Sequence, residues 1–179
     1  MKFTKWKIDN LENISSEEFF VLIDRNKERL KNTFPVTLSH CLTHEATIVF
    51  LKFNEGKESK KENYFFYVRN LETNKLIGYI GIKKIDLQVS KCELFYFIDK
   101  DFEGKGITST VVLQTIDFCF KDLKMNKIFI CTSKINFASQ QIAIKNGFLQ
   151  EGILREEFKK GDGILEDIIY FGLLKKDYK

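Results

Sequence analysis

The sequence predicts a layered α/β domain whose central sheet is mixed but mostly antiparallel, with helices on both faces. Three observations support this fold class. Strand-like and helix-like segments alternate along the chain. Two aromatic and β-branched segments, at 63–70 and 75–86, are joined by the polar turn "LETNK", which predicts an antiparallel hairpin. The order strand, glycine turn, helix, strand over 91–133 predicts a crossover unit with parallel strands.

Length and composition predict one compact unit. The chain has 179 residues, of which 44% are apolar and one is proline, and no repeat or linker divides it. We therefore expect a single domain over residues 1–179. Its apolar runs are far shorter than the ~20 residues of a membrane span, and no apolar region follows the charged first ten residues. We expect a cytoplasmic protein that does not engage a membrane.

The cysteines and the charge distribution exclude several classes of protein. Four cysteines stand singly with no CxxC pair, which favours reduced thiols in the core over disulfides or a zinc site. The net charge is +4, from 29 basic and 25 acidic residues that are interspersed. The densest charged run, "EGKESKKEN", alternates in sign, so no nucleic-acid partner is expected. A mildly basic surface does suit a small phosphorylated ligand.

Two helices are predicted before the hairpin. Ser15 and Glu18 form a capping box that opens a helix through residue 30. A second helix is predicted near residues 40–53, with Thr43 as a possible N-cap. Its predicted apolar face comprises Leu42, Ala46, Val49, Phe50 and Phe53.

The second half of the chain alternates strands and helices. A third strand, "KCELFYFID", precedes a helix near 108–123. The apolar face of that helix is predicted to comprise Val111, Val112, Thr115, Ile116, Cys119 and Phe120. A buried strand at 126–133 and a short helix ended by Gly147 follow, and two strands around "KKGDG" close the chain.

The stretch "DFEGKGITST" at 101–110 is the strongest candidate for a binding site. Glycines allow successive amides to converge on one point, and a helix start adds unpaired N–H groups and partial positive charge. The amides of Gly104, Lys105, Gly106, Ile107 and Thr108 can therefore cradle an anion, with Lys105 as a cationic supplement and Thr108 or Ser109 as the helix cap. An ordinary turn before a helix is the alternative. Neither a Walker loop nor a Rossmann fingerprint fits the spacing.

Several motifs in order resemble one family. The segment "FEGKGITST", preceded by "CELFYFID" and followed by "NFASQQIAIKNGF" and "EGILREEF", resembles the GNAT superfamily of acyl-coenzyme A dependent N-acetyltransferases, and more narrowly its RimJ/RimL-like branch of ribosomal-protein N-terminal acetyltransferases. Segments such as "LIGYIGI" and "DIIYFGLL" extend the resemblance over most of the chain.

The resemblance implies a GNAT fold with a splayed strand pair and a seat for acetyl-coenzyme A. The loop from Glu103 to Thr108 would bind the pyrophosphate, and the pantetheine arm would enter between the splayed strands. Main-chain groups of Phe97, Ile98 and Asp99 would hold that arm and polarise the thioester carbonyl. Asn136 and Ser139 stand at the family's NxxS positions, where Asn136 would bond the pantetheine.

The family's chemistry is direct acetyl transfer to an amine, which requires proton donors and acceptors but no covalent acyl-enzyme and no metal. Ser139 would return a proton to the departing thiolate. Glu93 is one candidate base, with a structural hydrogen-bonding role as the alternative. Glu156 and Glu157 are rivals, and only one of two adjacent strand residues can face the cleft. We expect it to be Glu157.

Three positions depart from the family's pattern. Asp101 stands where arginine or glutamine is frequent, so a basic phosphate contact is missing. Phe95 replaces a glycine and is expected to narrow the acceptor cleft. Ala143 stands where other branches carry a tyrosine general acid. These departures keep a catalytically silent acyl-coenzyme A binding module as an alternative to an enzyme.

Other residues and partners complete the expectations. His40 and His44 at spacing i, i+4 suggest a metal pair, but no third ligand supports it, and contact with the substrate is the alternative. Cys131 is expected to be a core residue. The amine acceptor is either a protein N-terminus or a small amine such as a polyamine, amino acid or aminoglycoside, and the protein is expected to be a monomer or homodimer.

Overall fold

The computed structural model describes residues 5–178. Residues 1–4 and 179 of the predicted 1–179 domain lie outside this range. The strands are Trp6–Asn10 (β1), Tyr64–Asn70 (β2), Leu76–Asp86 (β3), Lys91–Ile98 (β4), Lys127–Ser133 (β5), Leu149–Lys159 (β6) and Leu165–Leu174 (β7). The α-helices are Ser16–Arg25 (α1), Lys27–Leu30 (α2), Pro35–Ser39 (α3), His44–Ser59 (α4), Ile107–Lys121 (α5) and Phe137–Lys145 (α6).

The strands of residues 5–178 form one mixed sheet, as predicted. Its order is β1-β2-β3-β4-β5-β7-β6. Neighbouring strands are antiparallel except β4 and β5, which are parallel and joined through α5. The crossover unit predicted from the strand, glycine turn, helix and strand is therefore confirmed.

The parallel pair β4 and β5 separates halfway along its length. The two strands pair over Lys91–Leu94 and Lys127–Ile130. Beyond Leu94 no pairing between them continues in the described chain, although each strand stays paired with its other neighbour. We call the space between residues 95–98 and 131–133 the strand gap. It is the splayed pair that the family resemblance implies.

Helices cover both faces of the sheet because successive strand residues point to opposite sides. Along β2, Phe65 and Tyr67 belong to the buried cluster under α1 and α4, whereas Phe66 packs against the cluster under α5 and α6. The predicted apolar face of α5 is confirmed, since all six of its residues are buried.

The capping box at the first helix is confirmed, but the helix is shorter than predicted. The Ser15 hydroxyl accepts from the Glu18 N–H at 3.1 Å, and the Glu18 carboxylate accepts from the Ser15 N–H at 2.9 Å. The helix is interrupted at Asn26, whose Nδ2 donates to the Leu22 carbonyl at 2.9 Å and to Asp99 Oδ2 at 3.1 Å. This side chain therefore ties the end of α1 to the end of β4.

The helix α4 begins after the predicted cap, but its predicted apolar face is not the face that it buries against the core. The Thr43 hydroxyl accepts from the Ala46 N–H at 3.2 Å. The residues that α4 buries are Thr47, Leu51 and Asn54. Val49 and Phe53, two residues of the predicted apolar face, are 68% and 59% exposed. The apolar stripe of α4 thus faces an open groove, described below, rather than the core.

Candidate active site

The glycine loop, residues 103–108, presents unpaired main-chain N–H groups. Gly104 and Gly106 have φ of +69° and +77°, the left-handed region that favours glycine. Across the described chain, no internal partner accepts from the main-chain N–H of any residue from 104 to 109. The amides predicted to converge on an anion are therefore available to one.

The side chains of the loop differ from expectation. The N-cap of α5 is Gly106, which has no capping side chain, so the prediction that Thr108 or Ser109 caps this helix is wrong. The Glu103 N–H donates to the Lys100 carbonyl at 3.4 Å. It is therefore not one of the unpaired N–H groups, which form a row from Gly104 to Ser109. Lys105 turns back, with Nζ 2.7 Å from the Asp101 carbonyl oxygen and 4.7 Å from the centre of the Phe102 ring.

Main-chain orientation along β4 revises which residues border the strand gap. The Asp99 N–H donates to the Ile77 carbonyl at 2.7 Å, so it points towards β3. Orientation alternates along an antiparallel ladder, so Phe97 also points to β3, whereas Tyr96 and Ile98 point into the gap. The main-chain groups of Phe97 and Asp99 therefore do not face the gap as expected. The Ile98 carbonyl does face away from β3, but it accepts from Arg29 Nη1 at 3.3 Å. Tyr96 was not among the site residues named from the sequence. The alternation of residues along β4 places its main chain on the same side as that of Ile98 and could have indicated it.

Asn136 and Ser139 lie at the start of α6, across the strand gap from β4. Asn136 caps this helix, because its Oδ1 accepts from the Ser139 N–H at 3.1 Å. Its Nδ2 has no partner in residues 5–178. The Ser139 hydroxyl lies 3.1 Å from the Tyr96 hydroxyl, and Tyr96 also lies 3.3 Å from the Ser139 carbonyl oxygen.

The Tyr96 hydroxyl is a protonated group at neutral pH. Burial raises the pKa of Tyr96 to about 12, and its hydrogen bond with Ser139 lowers it only in part. Ala143 follows Ser139 by one helical turn and is fully buried. Tyr96 thus brings a phenol from the sheet to the start of α6, the helix that carries Ala143.

A groove of about 890 Å³ runs from the strand gap to the helices α3 and α4. One half is lined by residues 32–63, which we call the helical half. The other half is lined by the strands β2 to β7 and the start of α6. Tyr96, Asn136 and Ser139 line its inner end. Phe95 lines its middle, and its ring packs against Phe34, Phe65 and Tyr79 with centroids 6.2, 6.4 and 5.3 Å away.

Glu93 is a buried carboxylate at the floor of the groove. Its Oε1 lies 3.1 Å from Lys83 Nζ and its Oε2 lies 2.9 Å from Lys84 Nζ. A bulge in β3, where Lys84 has φ of +50°, allows consecutive lysines to reach one carboxylate. Cys131 lines the same floor and is half-buried rather than a core residue, and burial raises the pKa of its thiol to about 11.

The two adjacent glutamates of β6 do separate as expected. Glu157 lines the groove, whereas Glu156 does not. Their opposite directions come from a bulge between Leu154 and Phe158, in which Glu156 has φ of +51° and donates its N–H to Asp167 Oδ1 at 3.0 Å. Glu157 is exposed and forms no ion pair with any described residue.

The two histidines do not share a helix face, because α4 begins at His44 and His40 ends α3. His40 stacks on Phe50 at 5.8 Å and lines the groove, whereas His44 lies 2.9 Å from the Ser16 hydroxyl. Over residues 5–178, no three His, Cys, Asp or Glu side chains are placed to hold a metal ion. In the same range, no helix is long and apolar enough to cross a membrane.

Known proteins share this fold and parts of this sequence. The ribosomal-protein-S5-alanine acetyltransferase of Vibrio fischeri superposes with a TM-score of 0.85 at 21% identity, over 100% of this chain and 98% of that one, which shows the fold. A Bacillus subtilis relative named as a candidate ribosomal N-acetyltransferase, YdaF, is 34% identical over 104 residues, 58% of this chain. The matched part of this chain spans 56% of that relative's length. A spermidine N(1)-acetyltransferase of Vibrio cholerae is 25% identical over 78% of this chain and 87% of the relative.

A family model matches most of the chain. Residues 10–149 fit the model described as an acetyltransferase (GNAT) domain. This range includes the glycine loop, β4, β5 and the NxxS residues at the start of α6. The chain therefore belongs to the GNAT acetyltransferase family.

Proposed function

We propose that the protein transfers an acetyl group from acetyl-coenzyme A directly to a primary amine. The observation that carries this proposal is the row of unpaired main-chain N–H groups from Gly104 to Ser109, beside a strand gap that opens into the groove. The row fits a diphosphate and the gap fits an extended arm. No cysteine or serine nucleophile is required.

The residues that would hold acetyl-coenzyme A follow from these positions. The pyrophosphate would accept from the amides of 104–109, which include Gly104, Lys105, Gly106, Ile107 and Thr108. The pantetheine arm would lie along the main chain of Tyr96 and the N–H of Ile98, in the manner of an added strand, while the Ile98 carbonyl stays bonded to Arg29. The unpartnered Nδ2 of Asn136 would donate to one of its amide carbonyls.

The pair of Tyr96 and Ser139 hydroxyls would return a proton to the thiolate that leaves. Both groups line the inner end of the groove, where the arm would end. Because the pKa of Tyr96 is raised to about 12, its phenol keeps its proton at neutral pH and can pass one on through Ser139. This arrangement would supply the acid that Ala143 cannot.

The proton of the attacking amine would leave through Glu157. Glu93 is buried and its charge is compensated by two ammonium groups, which favours the structural role that the sequence left open for it. Glu157 is exposed in the groove with no ion pair to any described residue. It is therefore the freer of the two to accept a proton, directly or through water.

The acceptor proposed first is the N-terminal amine of a protein. One relative carries the word ribosomal in its name, and the Vibrio fischeri structure is named for ribosomal protein S5. An N-terminal amine, with a pKa of about 8, is partly neutral at pH 7 and needs less help from a base than an amine of pKa about 10. The spermidine N(1)-acetyltransferase relative makes a small amine the alternative acceptor.

A direct test combines binding with turnover. Titration calorimetry with coenzyme A, followed by thiol release from acetyl-coenzyme A across peptides, polyamines, amino acids and aminoglycosides, is expected to show binding and amine-dependent release. Binding with no release for any amine would favour the silent binding module instead.

A further inference from the structure

The helical half of the groove exposes apolar side chains to its interior and its rim. Phe34, Val36, Val49, Phe50 and Phe53 all line it. Val36, Val49 and Phe53 are 67%, 68% and 59% exposed. An amphipathic helix normally buries its apolar residues against the protein. Here these residues are exposed, so a ligand bound in the groove can cover them.

The charges of the helical half do not suit a polycation. None of its described lining residues is Asp or Glu. Its charged side chain is Lys57, whose Nζ lies 4.7 Å from the centre of the Phe53 ring. The carboxylates of the groove lie in the other half: Glu93 pairs with Lys83 and Lys84, Glu166 accepts from the Ser133 hydroxyl at 2.6 Å, and Glu157 is exposed with no ion pair to any described residue. A single free carboxylate does not match the several ammonium groups of a polyamine. A polyamine, with several ammonium groups, would place positive charge against an apolar wall beside a lysine.

One buried donor in the helical half lacks a partner. Asn54 is 3% exposed and lines the groove, and its Nδ2 has no hydrogen-bond partner in the part of the chain described. A donor left buried and unpaired is destabilising, and a bound acceptor atom would relieve this cost. A peptide supplies carbonyl oxygens, whereas spermidine supplies none.

We infer that the groove takes the N-terminus of a peptide whose leading residues are large and apolar, and that it rejects polyamines. The inference rests on the proposed function, because it places the terminal amine at the inner end beside Tyr96 and Glu157. The leading side chains lie against Val49, Phe50 and Phe53, and Asn54 donates to a peptide carbonyl. The exposed rim suits a chain that continues out of the groove.

The test measures binding to the coenzyme A-loaded protein by calorimetry, with thiol release from acetyl-coenzyme A as a second readout. The ligands are spermidine and short peptides that begin with two phenylalanines, two serines or two aspartates. We expect the phenylalanine peptide to bind at least about tenfold more tightly than the others. Phe53→Ser and Asn54→Leu are each expected to weaken it by about tenfold.

The matched control is Leu87→Ser. Leu87 is 76% exposed on the β3–β4 turn, outside the groove, so this change is expected to leave binding unaltered. Equal binding of spermidine and the phenylalanine peptide, or equal effects of Phe53→Ser and Leu87→Ser, would overturn the inference. Tight phenylalanine-peptide binding with no thiol release would refute the proposed function instead and leave the peptide groove standing.

Discussion

The ring of Phe95 lies on Gly81, its partner across β3 and β4. A Cβ atom built at Gly81 would come within 2.6 Å of Phe95 Cε1 and 3.0 Å of the Tyr64 carbonyl oxygen, so no side chain fits there. The pair explains how the chain accommodates a phenylalanine where the family branch has glycine. The missing side chain at Gly81 makes room for the ring, and Phe95 forms part of the groove wall.

Gly81→Ala is expected to push the Phe95 ring into the groove. Overpacking of this kind costs about 1–3 kcal/mol of unfolding free energy. Because the displaced ring occupies the acceptor space, we expect a higher KM for the amine with little change in coenzyme A affinity. The double variant Gly81→Ala/Phe95→Leu should recover much of the lost stability and of the lost affinity for the amine. If the effects of the two single substitutions simply add, the two residues are not in contact in the way described.

Gly104→Ala tests whether the unpaired N–H groups of residues 104–109 bind an anion, and Gly163→Ala is the matched control. Gly104 and Gly163 have φ of +69° and +86°, and a Cβ at either meets no atom within 4 Å. Each alanine is therefore expected to cost a similar ~1–2 kcal/mol of stability through backbone strain. Only Gly104→Ala should also weaken coenzyme A binding, because its methyl group intrudes where the phosphates would lie. Calorimetry that gives both variants wild-type affinity would contradict the proposed seat.

Arg69 links β2 to β1 and to the first helix, and this network predicts a pH dependence of stability. Its guanidinium donates to the carboxylates of Asp9 and Glu18. The hydrogen bond from Arg69 lowers the pKa of Glu18. Burial raises the pKa of Asp9, but hydrogen bonds from Lys7 and Arg69 outweigh it, so that pKa is also lowered.

Both folded-state pKa values lie below the unfolded ones. The stabilisation is therefore complete above a pH of about 4 to 5 and is lost as the pH falls through the lowered pKa values. Arg69→Met leaves the buried Asp9 carboxylate with Lys7 as its remaining ionic partner and removes the partner of Glu18, and it is expected to cost about 3 kcal/mol at pH 7, measured by urea unfolding. The variant should also lose less stability than the wild type between pH 7 and pH 3. Lys5→Met, which breaks the exposed pair with Glu72, is the control and should change little.

Tyr96→Phe and Ser139→Ala test the proton donors. Each should lower kcat by about a hundredfold, since positioned acid–base groups commonly contribute that much, while coenzyme A affinity stays close to that of the wild type. If the hydroxyls act as one relay, the double variant should be little slower than either single variant. Independent, multiplying effects would indicate separate roles.

Local patterns predicted most elements because they depend on nearby residues. The capping box at Ser15 and the apolar face of α5 required only spacing along the chain. The sequence did not reveal that the apolar face of α4 lines a groove, because periodicity does not distinguish a face buried in the core from a binding surface. The short strand β1 was missed, since it is held by its pairing with distant β2 rather than by its own composition.

The candidate site was predictable only where it is built from main chain. The glycine loop follows from residue type, because a run of amides requires glycine at positive φ. Tyr96 contacts Ser139, 43 positions later, because of the strand register. Lys83 and Lys84 both pair with Glu93 because of a bulge in β3. No local pattern specifies either of these.

Glu157→Gln and Glu93→Gln should separate catalysis from structure. Glu157 is exposed and lacks an ion pair with any described residue, so its amide variant should fold normally but lose kcat. Glu93 compensates Lys83 and Lys84, so its amide variant leaves two ammonium groups without a counter-charge near a buried floor. We therefore expect Glu93→Gln to lower the free energy of unfolding as well as the activity. If Glu93→Gln instead lowers kcat at full stability, while Glu157→Gln leaves kcat unchanged, Glu93 is the base and the assignment of roles reverses.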